Sequence, residues 1–209
     1  MRIAKSTFLL LFFVCYWSWA QEPLNPQEEE TFINNVEAFS QETKTLKGNF
    51  IQTKELSFVE KSIKSNGDFY YKSPNLVKWE YKTPYLYSVI FKNGELLIND
   101  DGKKQQIDLS SNKLFEKLSD LIANSINGKM LLDEGFSTHF VKQNGIVLAK
   151  MIPKEKELSE FFKAIELYFN TKNYLVEKVK LIEKSGDFTS IEFTNLKHNP
   201  SLDASVFTH

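Results

Sequence analysis

The stretch from Gly67 to Gly94, GDFYYKSPNLVKWEYKTPYLYSVIFKNG, constrains the fold more than any other part of the chain. Phe69, Tyr71, Val77, Trp79 and Tyr81 alternate with Asp68, Lys78 and Glu80, a period of two that gathers the apolar side chains on one side of a β-sheet. Pro74 and Pro84 divide the stretch into strand-length runs, and Asn93-Gly94 closes it with a tight hairpin turn. A face this aromatic must be covered by other elements or be left free to receive an apolar ligand.

The same alternation continues on both sides. Strands are expected at 49–56, 62–72, 76–82, 85–92, 95–100 and 104–109, with Asp101-Gly102 as a second hairpin. They resume at 136–143 and 146–152 around Asn144-Gly145, then at 163–170, 174–184 and 188–197. Two segments follow a helical period instead. Asn25, Pro26 and Glu28 form an N-terminal cap, and Phe32, Val36, Phe39 and Thr43 follow at spacings of four and three, predicting an amphipathic helix that ends near Leu46. From Asn112 to Ile126, the residues Leu114, Phe115, Leu118, Leu121, Ile122 and Ser125 trace a second helical face. About eleven strands with short turns and these helices predict an α+β, mainly β chain: one large antiparallel sheet curled over helices that cover its apolar face.

The N-terminus reads as an export signal. Arg2 and Lys5 precede an apolar run from Phe8 to Trp17, and the small residues Ser18 and Ala20 precede Gln21, so cleavage is expected near Ala20. The run is about ten residues, against the roughly 20 needed to span a bilayer. Cys15 is the only cysteine and lies inside that run. Its neighbours Phe12, Phe13 and Val14 supply none of the small residues that lipid attachment requires. The expected organisation is a signal over 1–20 and one domain over 21–209, about 189 residues once about 20 are removed from 209. That domain has no cysteine for disulfide or thiol chemistry. Arg2 is the only arginine, so the exported domain has no guanidinium fork for phosphate or base edges, which argues against nucleic acid as a partner.

No catalytic constellation emerges. His139, His198 and His209 are scattered, with no HExxH spacing, no GxSxG, no P-loop and no GxGxxG. Glu28, Glu29 and Glu30 fall in the first turn of a helix, where its dipole favours anions. The expectation is a non-enzymatic protein with no metal and no cofactor.

Several motifs together resemble the outer-membrane lipoprotein carrier family, LolA. They are Leu46-Lys-Gly-Asn-Phe50-Ile-Gln52, Gly67-Asp-Phe69, Pro74 with Trp79-Glu80-Tyr81 and Pro84, and Asn93-Gly94 with Leu96 and Asn99-Asp100. Pro153, Phe169, Asn173, Leu175, the run Asp187 to Phe193, and Asn199, Leu202 and Phe207 fit the closing strands of that family. The resemblance implies an unclosed antiparallel barrel whose concave apolar face, lidded by helices, takes up the acyl chains of lipoproteins. It further implies a periplasmic monomer that shuttles its cargo from an inner-membrane releasing complex toward an outer-membrane acceptor. Matching strand parity places Phe50, Phe69, Tyr71, Val77, Trp79, Tyr81, Tyr87, Val89 and Phe91 on the concave face, with Leu118, Leu121 and Ile122 as lid residues. One departure stands out: the family's latching arginine, just before the first proline, is replaced here by Ser73. Two alternatives stay open at this point, a carrier of the same fold for a glycolipid or acyl-linked product, and a module that senses lipid or lipoprotein.

Overall fold

The computed structural model describes residues 22–109 and 129–208. In chain order, strand β1 is Glu22–Pro23, helix α1 Pro26–Glu42, β2 Thr45–Glu55, β3 Ile63–Lys72, β4 Leu76–Thr83, β5 Tyr87–Lys92, β6 Glu95–Asp100 and β7 Lys103–Asp108. A 3-10 turn at Lys129–Leu132 leads into β8 Phe136–Gln143 and β9 Ile146–Pro153. The short helix α2 Lys156–Ser159, β10 Phe162–Asn170, β11 Val176–Glu183, β12 Phe188–His198 and a 3-10 turn at Ala204–Phe207 complete the order.

All twelve strands form one antiparallel sheet in the order β1-β8-β9-β10-β11-β12-β2-β3-β4-β5-β6-β7. The last strand in sequence pairs with β2, so the sheet curls round on itself, while β7 and β1 remain its two unjoined edges. This is the expected unclosed barrel, with a two-residue strand at Glu22–Pro23 added to the eleven read from the alternation.

The hairpin turns follow from their residues. Asn93-Gly94, Asp101-Gly102 and Asn144-Gly145 each hold two successive positive φ angles, the left-handed pair that matches strand twist and that Asn, Asp and Gly tolerate best. Gly67 answers a different need. A Cβ there would lie 1.9 Å from the Glu80 carbonyl oxygen, because the β3–β4 pairing slips by one residue between Asn66 and Gly67 and brings the two backbones together.

Helix α1 begins as expected. The Asn25 side chain accepts from the Glu28 amide at 3.0 Å, and the Glu28 carboxylate accepts from the Asn25 amide at 3.0 Å, a complete capping box. The helix ends at Glu42 rather than near Leu46. Thr43 terminates it with an extended backbone while its hydroxyl donates to the Phe39 carbonyl, and β2 begins at once at Thr45. Leu46 therefore belongs to a strand. Helix α1 lies inside the curl: Phe32 packs edge-on against Phe140 and Phe169 at 5.8 and 5.4 Å, and Phe39 stacks on the His198 ring at 4.6 Å.

The main core, with Phe32, Val36, Ile165, Leu167 and Phe169 at one side and Phe50, Phe69 and Trp79 at the other, fills the concave side. A smaller core sits on the convex side, where Tyr70, Ile90 and Leu97 are covered by Phe207, with Leu202 and Val206 beside it. The chain after β12 thus runs back over the outside of β3 to β6. The second expected helix, with Leu118, Leu121 and Ile122, lies outside the described residues.

Candidate functional site

Strand register decides which side chains share a face, since residues directly opposed in a ladder project to the same side. One cross-strand row runs Phe193, Phe50, Gly67, Tyr81, Tyr87 and Asp100. The next runs Phe69, Trp79, Val89 and Ile98. A third runs Leu46, Tyr71, Val77, Phe91, Leu96 and Ile107. All nine residues placed on the concave face by parity fall in these rows.

The rows grade from a sealed floor to an open flank. Phe50, Phe69, Tyr71, Val77 and Trp79 are buried. Their rings interlock: Phe50 meets Trp79 and Tyr81 at 4.9 Å each, and Phe193 meets Phe69 at 5.2 Å and Trp79 at 5.7 Å. These are the edge-on and tilted geometries that aromatic quadrupoles favour. Tyr81, Tyr87, Val89 and Phe91 are only half-buried, so the accessible part of the wall lies mainly on β5 and the end of β4. Parity alone missed Phe193, although the alternation from Asp187 to Phe193 carried its signal; Ile98 and Leu96, which extend the wall onto β6, were missed as well.

Polar groups on this wall are few and neutralised. The Tyr81 hydroxyl donates to the Gln52 side chain at 3.0 Å. Burial, with Tyr87 as a lesser influence, pushes the Tyr81 pKa up to about 12, so the phenol, neutral at physiological pH in any case, stays uncharged further into the alkaline range. Of the residues in the three rows, Asp100 alone carries a charge, and it stands at the end of its row. There, Ile63, Ser65, Tyr81, Thr83, Pro84, Tyr85, Tyr87 and Asp100 line an open pocket of about 300 Å³. A surface of this kind binds by apolar burial rather than by directed hydrogen bonds.

The other expected roles are resolved where the structure describes them. Ser73 is exposed in the β3–β4 turn, and its amide donates to the Lys44 carbonyl at 2.8 Å. The Tyr71 hydroxyl donates to the Pro74 carbonyl in the same turn at 3.1 Å. His198 lies 3.0 Å from the Thr43 hydroxyl and braces α1 against β12, while His139 is exposed on β8. These two histidines sit apart, and among the described residues no three His, Cys, Asp or Glu side chains are grouped to hold a metal ion.

Comparison with known proteins agrees with this geometry. Residues 41–209 match the model of the family described as outer membrane lipoprotein carrier protein LolA. An outer-membrane lipoprotein carrier protein of Azotobacter vinelandii is 26% identical over 199 residues, covering 94% of this chain and 93% of its own. One from Methylobacillus flagellatus is 22% identical over 176 residues, covering 84% and 82%. The crystal structure of an uncharacterized conserved protein from Thermus thermophilus shares the fold at a TM-score of 0.52 with 9% identity, over 86% of this chain and 91% of that one. With the profile spanning most of the chain and the aromatic rows at its centre, the protein belongs to the outer membrane lipoprotein carrier family LolA.

Proposed function

We propose that this protein is a non-enzymatic periplasmic carrier that shields the acyl chains of lipoproteins against the concave wall during transfer from the inner to the outer membrane. The single observation that carries the reading is the three-row wall from Phe193 to Ile107, whose accessible flank of Tyr81, Tyr87, Val89 and Phe91 has no buried charge to repel an acyl chain.

The energetics set the task. Each methylene moved out of water is worth about 0.8 kcal/mol, so exposing one sixteen-carbon chain costs on the order of 12 kcal/mol. Free diffusion of an acylated protein through an aqueous compartment is then negligible. The carrier must hide the chains and still release them. A wall of tilted aromatic rings suits both demands, because apolar contact is non-directional and is given up gradually as a chain slides out. In this reading the proposed acyl-binding residues are Phe50, Phe69, Tyr71, Val77, Trp79, Tyr81, Tyr87, Val89 and Phe91, with the β5 residues making first contact. The protein acts as a monomer, receives cargo from an inner-membrane releasing complex and passes it to an outer-membrane acceptor. Export by a signal cleaved near Ala20 brings the 21–209 domain to that compartment.

A photo-crosslinking residue at Val89 tests the proposal in cells. Acylated lipoprotein should be captured there far more than at Glu80, whose side chain faces the opposite side of the same sheet. Equal capture at the two positions would sink the assignment, and capture of free glycolipid alone would redirect the carrier to a different cargo.

A further inference from the structure

Among the described residues nine large apolar side chains are exposed, and six of them stand at one end of the barrel: Phe58, Val59, Ile63, Tyr85, Leu86 and Phe161. Phe58 is 80% exposed and Tyr85 77%. Register places them together. Lys54 pairs with Ile63, Asn66 with Thr83 and Phe162 with Glu183, so the β2–β3, β4–β5 and β9–β10 connections all emerge on the same rim. Their other neighbours tie them into one arc. The Lys184 amide donates to the Phe161 carbonyl at 3.0 Å, the Asp187 carboxylate accepts from the Ser57 amide at 2.7 Å, and Ile63 and Tyr85 line the same open pocket.

The loop carrying Phe58 is built to hold it out. Asp187 anchors its start, and the Val59 amide closes a turn onto the Leu56 carbonyl at 3.0 Å. Soluble surfaces seldom gather large apolar residues from three loops around one opening. Aromatic tips flanked by lysines suit the boundary between headgroups and acyl chains. The Phe58 loop has Lys54, Lys61 and Lys64 within six residues of its tip, long side chains that can reach headgroup phosphates while their stems lie along apolar surface; Glu55, Glu60 and the Asp187 carboxylate balance their charge, so the contact rests on apolar burial. The arc is also continuous with the concave wall, since Tyr81 and Tyr87 belong to both the wall and the pocket at the rim.

We propose that this rim is a bilayer-contact surface: Phe58, Tyr85, Leu86 and Phe161 seat in the lipid interface and turn the open end of the wall toward the membrane. The surface takes its purpose from the acyl-carrier reading: with the rim seated on the bilayer beside the releasing complex or the acceptor, an acyl chain enters or leaves the wall without meeting water. A protein partner would need a surface shaped to three separate loop tips, whereas a lipid interface deforms to accept them.

Flotation of the purified, lipid-stripped protein with vesicles of equimolar phosphatidylethanolamine and phosphatidylglycerol tests this. The protein should float, and the combined variant Phe58→Ser, Leu86→Ser and Phe161→Ser should lower the bound fraction on the order of tenfold. Ile51→Ser, at an exposed apolar position away from the rim, should leave it unchanged. Binding of a triacylated lipopeptide, read from Trp79 fluorescence, should be retained by the rim variant within about twofold, which also shows that it has folded. The proposal is overturned if the protein does not float, if the rim variant floats like the parent, or if Ile51→Ser is equally impaired. If the lipopeptide fails to bind while flotation still depends on the rim, the carrier reading falls and the membrane surface stands.

Discussion

The two faces of β3, β4 and β5 are built from interleaved residues of the same strands, yet they bury apolar surface in opposite ways. On the concave face Phe69, Trp79 and Val89 join a wall that continues across seven strands and grades from sealed to accessible. On the convex face Tyr70, Ile90 and Leu97 form a small closed patch, capped by Phe207 from the chain's own C-terminal segment. The convex face also commits its polar groups to a fixed network. Asp68 accepts from Asn49 at 2.8 Å and pairs with Lys82 at 2.7 Å. Burial opposes ionisation of Asp68, but these partners outweigh it and hold the carboxyl below its usual range. The lesson is that an apolar residue on a strand signals function only when no local segment is dedicated to covering it.

The contrast can be broken or sharpened by substitution. The largest effect is expected from Gly67→Val, whose new Cβ collides with the Glu80 backbone; a loss of at least about 3 kcal/mol should abolish the cooperative urea transition or shift it far down. Phe69→Ala removes a fully buried ring from the concave wall and should cost about 3 to 5 kcal/mol, together with weaker lipopeptide binding in a Trp79 fluorescence titration. Phe207→Ala should cost about 3 kcal/mol and leave lipopeptide affinity unchanged in the same titration. If both variants lose affinity alike, the two faces are not functionally distinct. Asn25→Ala deletes half of the capping box and should lower stability by about 1 kcal/mol, measured by thermal unfolding, with no effect on either face.

The smallest effect at neutral pH belongs to Asp187, and its signature is a slope. Hydrogen bonds from Ser57, its backbone amide first, hold the Asp187 carboxyl below its ordinary value. A depressed folded-state pKa means the carboxylate stabilises the fold above the unfolded value of about 4 and that this stabilisation is lost as pH falls through the folded value. Asp187→Asn should therefore flatten the decline in stability below about pH 4, followed by urea unfolding at a series of pH values.

Much of this was legible in the residues. Period two fixed which of Phe69 to Phe91 share a side, because a strand has no freedom to change parity without a bulge. The Asn-Gly and Asp-Gly pairs marked three turns, since few other dipeptides accept two positive φ angles. What escaped was long-range. Phe193 entered the wall only because β12 pairs with β2, a contact between positions more than a hundred residues apart that no local pattern encodes. The helix end was misplaced by four residues because Phe39 and Thr43 continue the apolar spacing while the Thr43 backbone has already turned extended.

The sequence by itself determined eleven of the twelve strands, the start of helix α1 and the apolar parity of the central strands, because these rest on backbone stereochemistry and side-chain alternation within short windows, and its motifs carried the resemblance to the carrier family. Only the tertiary structure decided how exposed that wall is, which of its residues remain accessible, and that Phe58, Tyr85 and Phe161, separated along the chain, meet on one rim. Accessibility is a property of what else packs nearby, and that is set by the order of strands in the curled sheet rather than by the residues of any one strand.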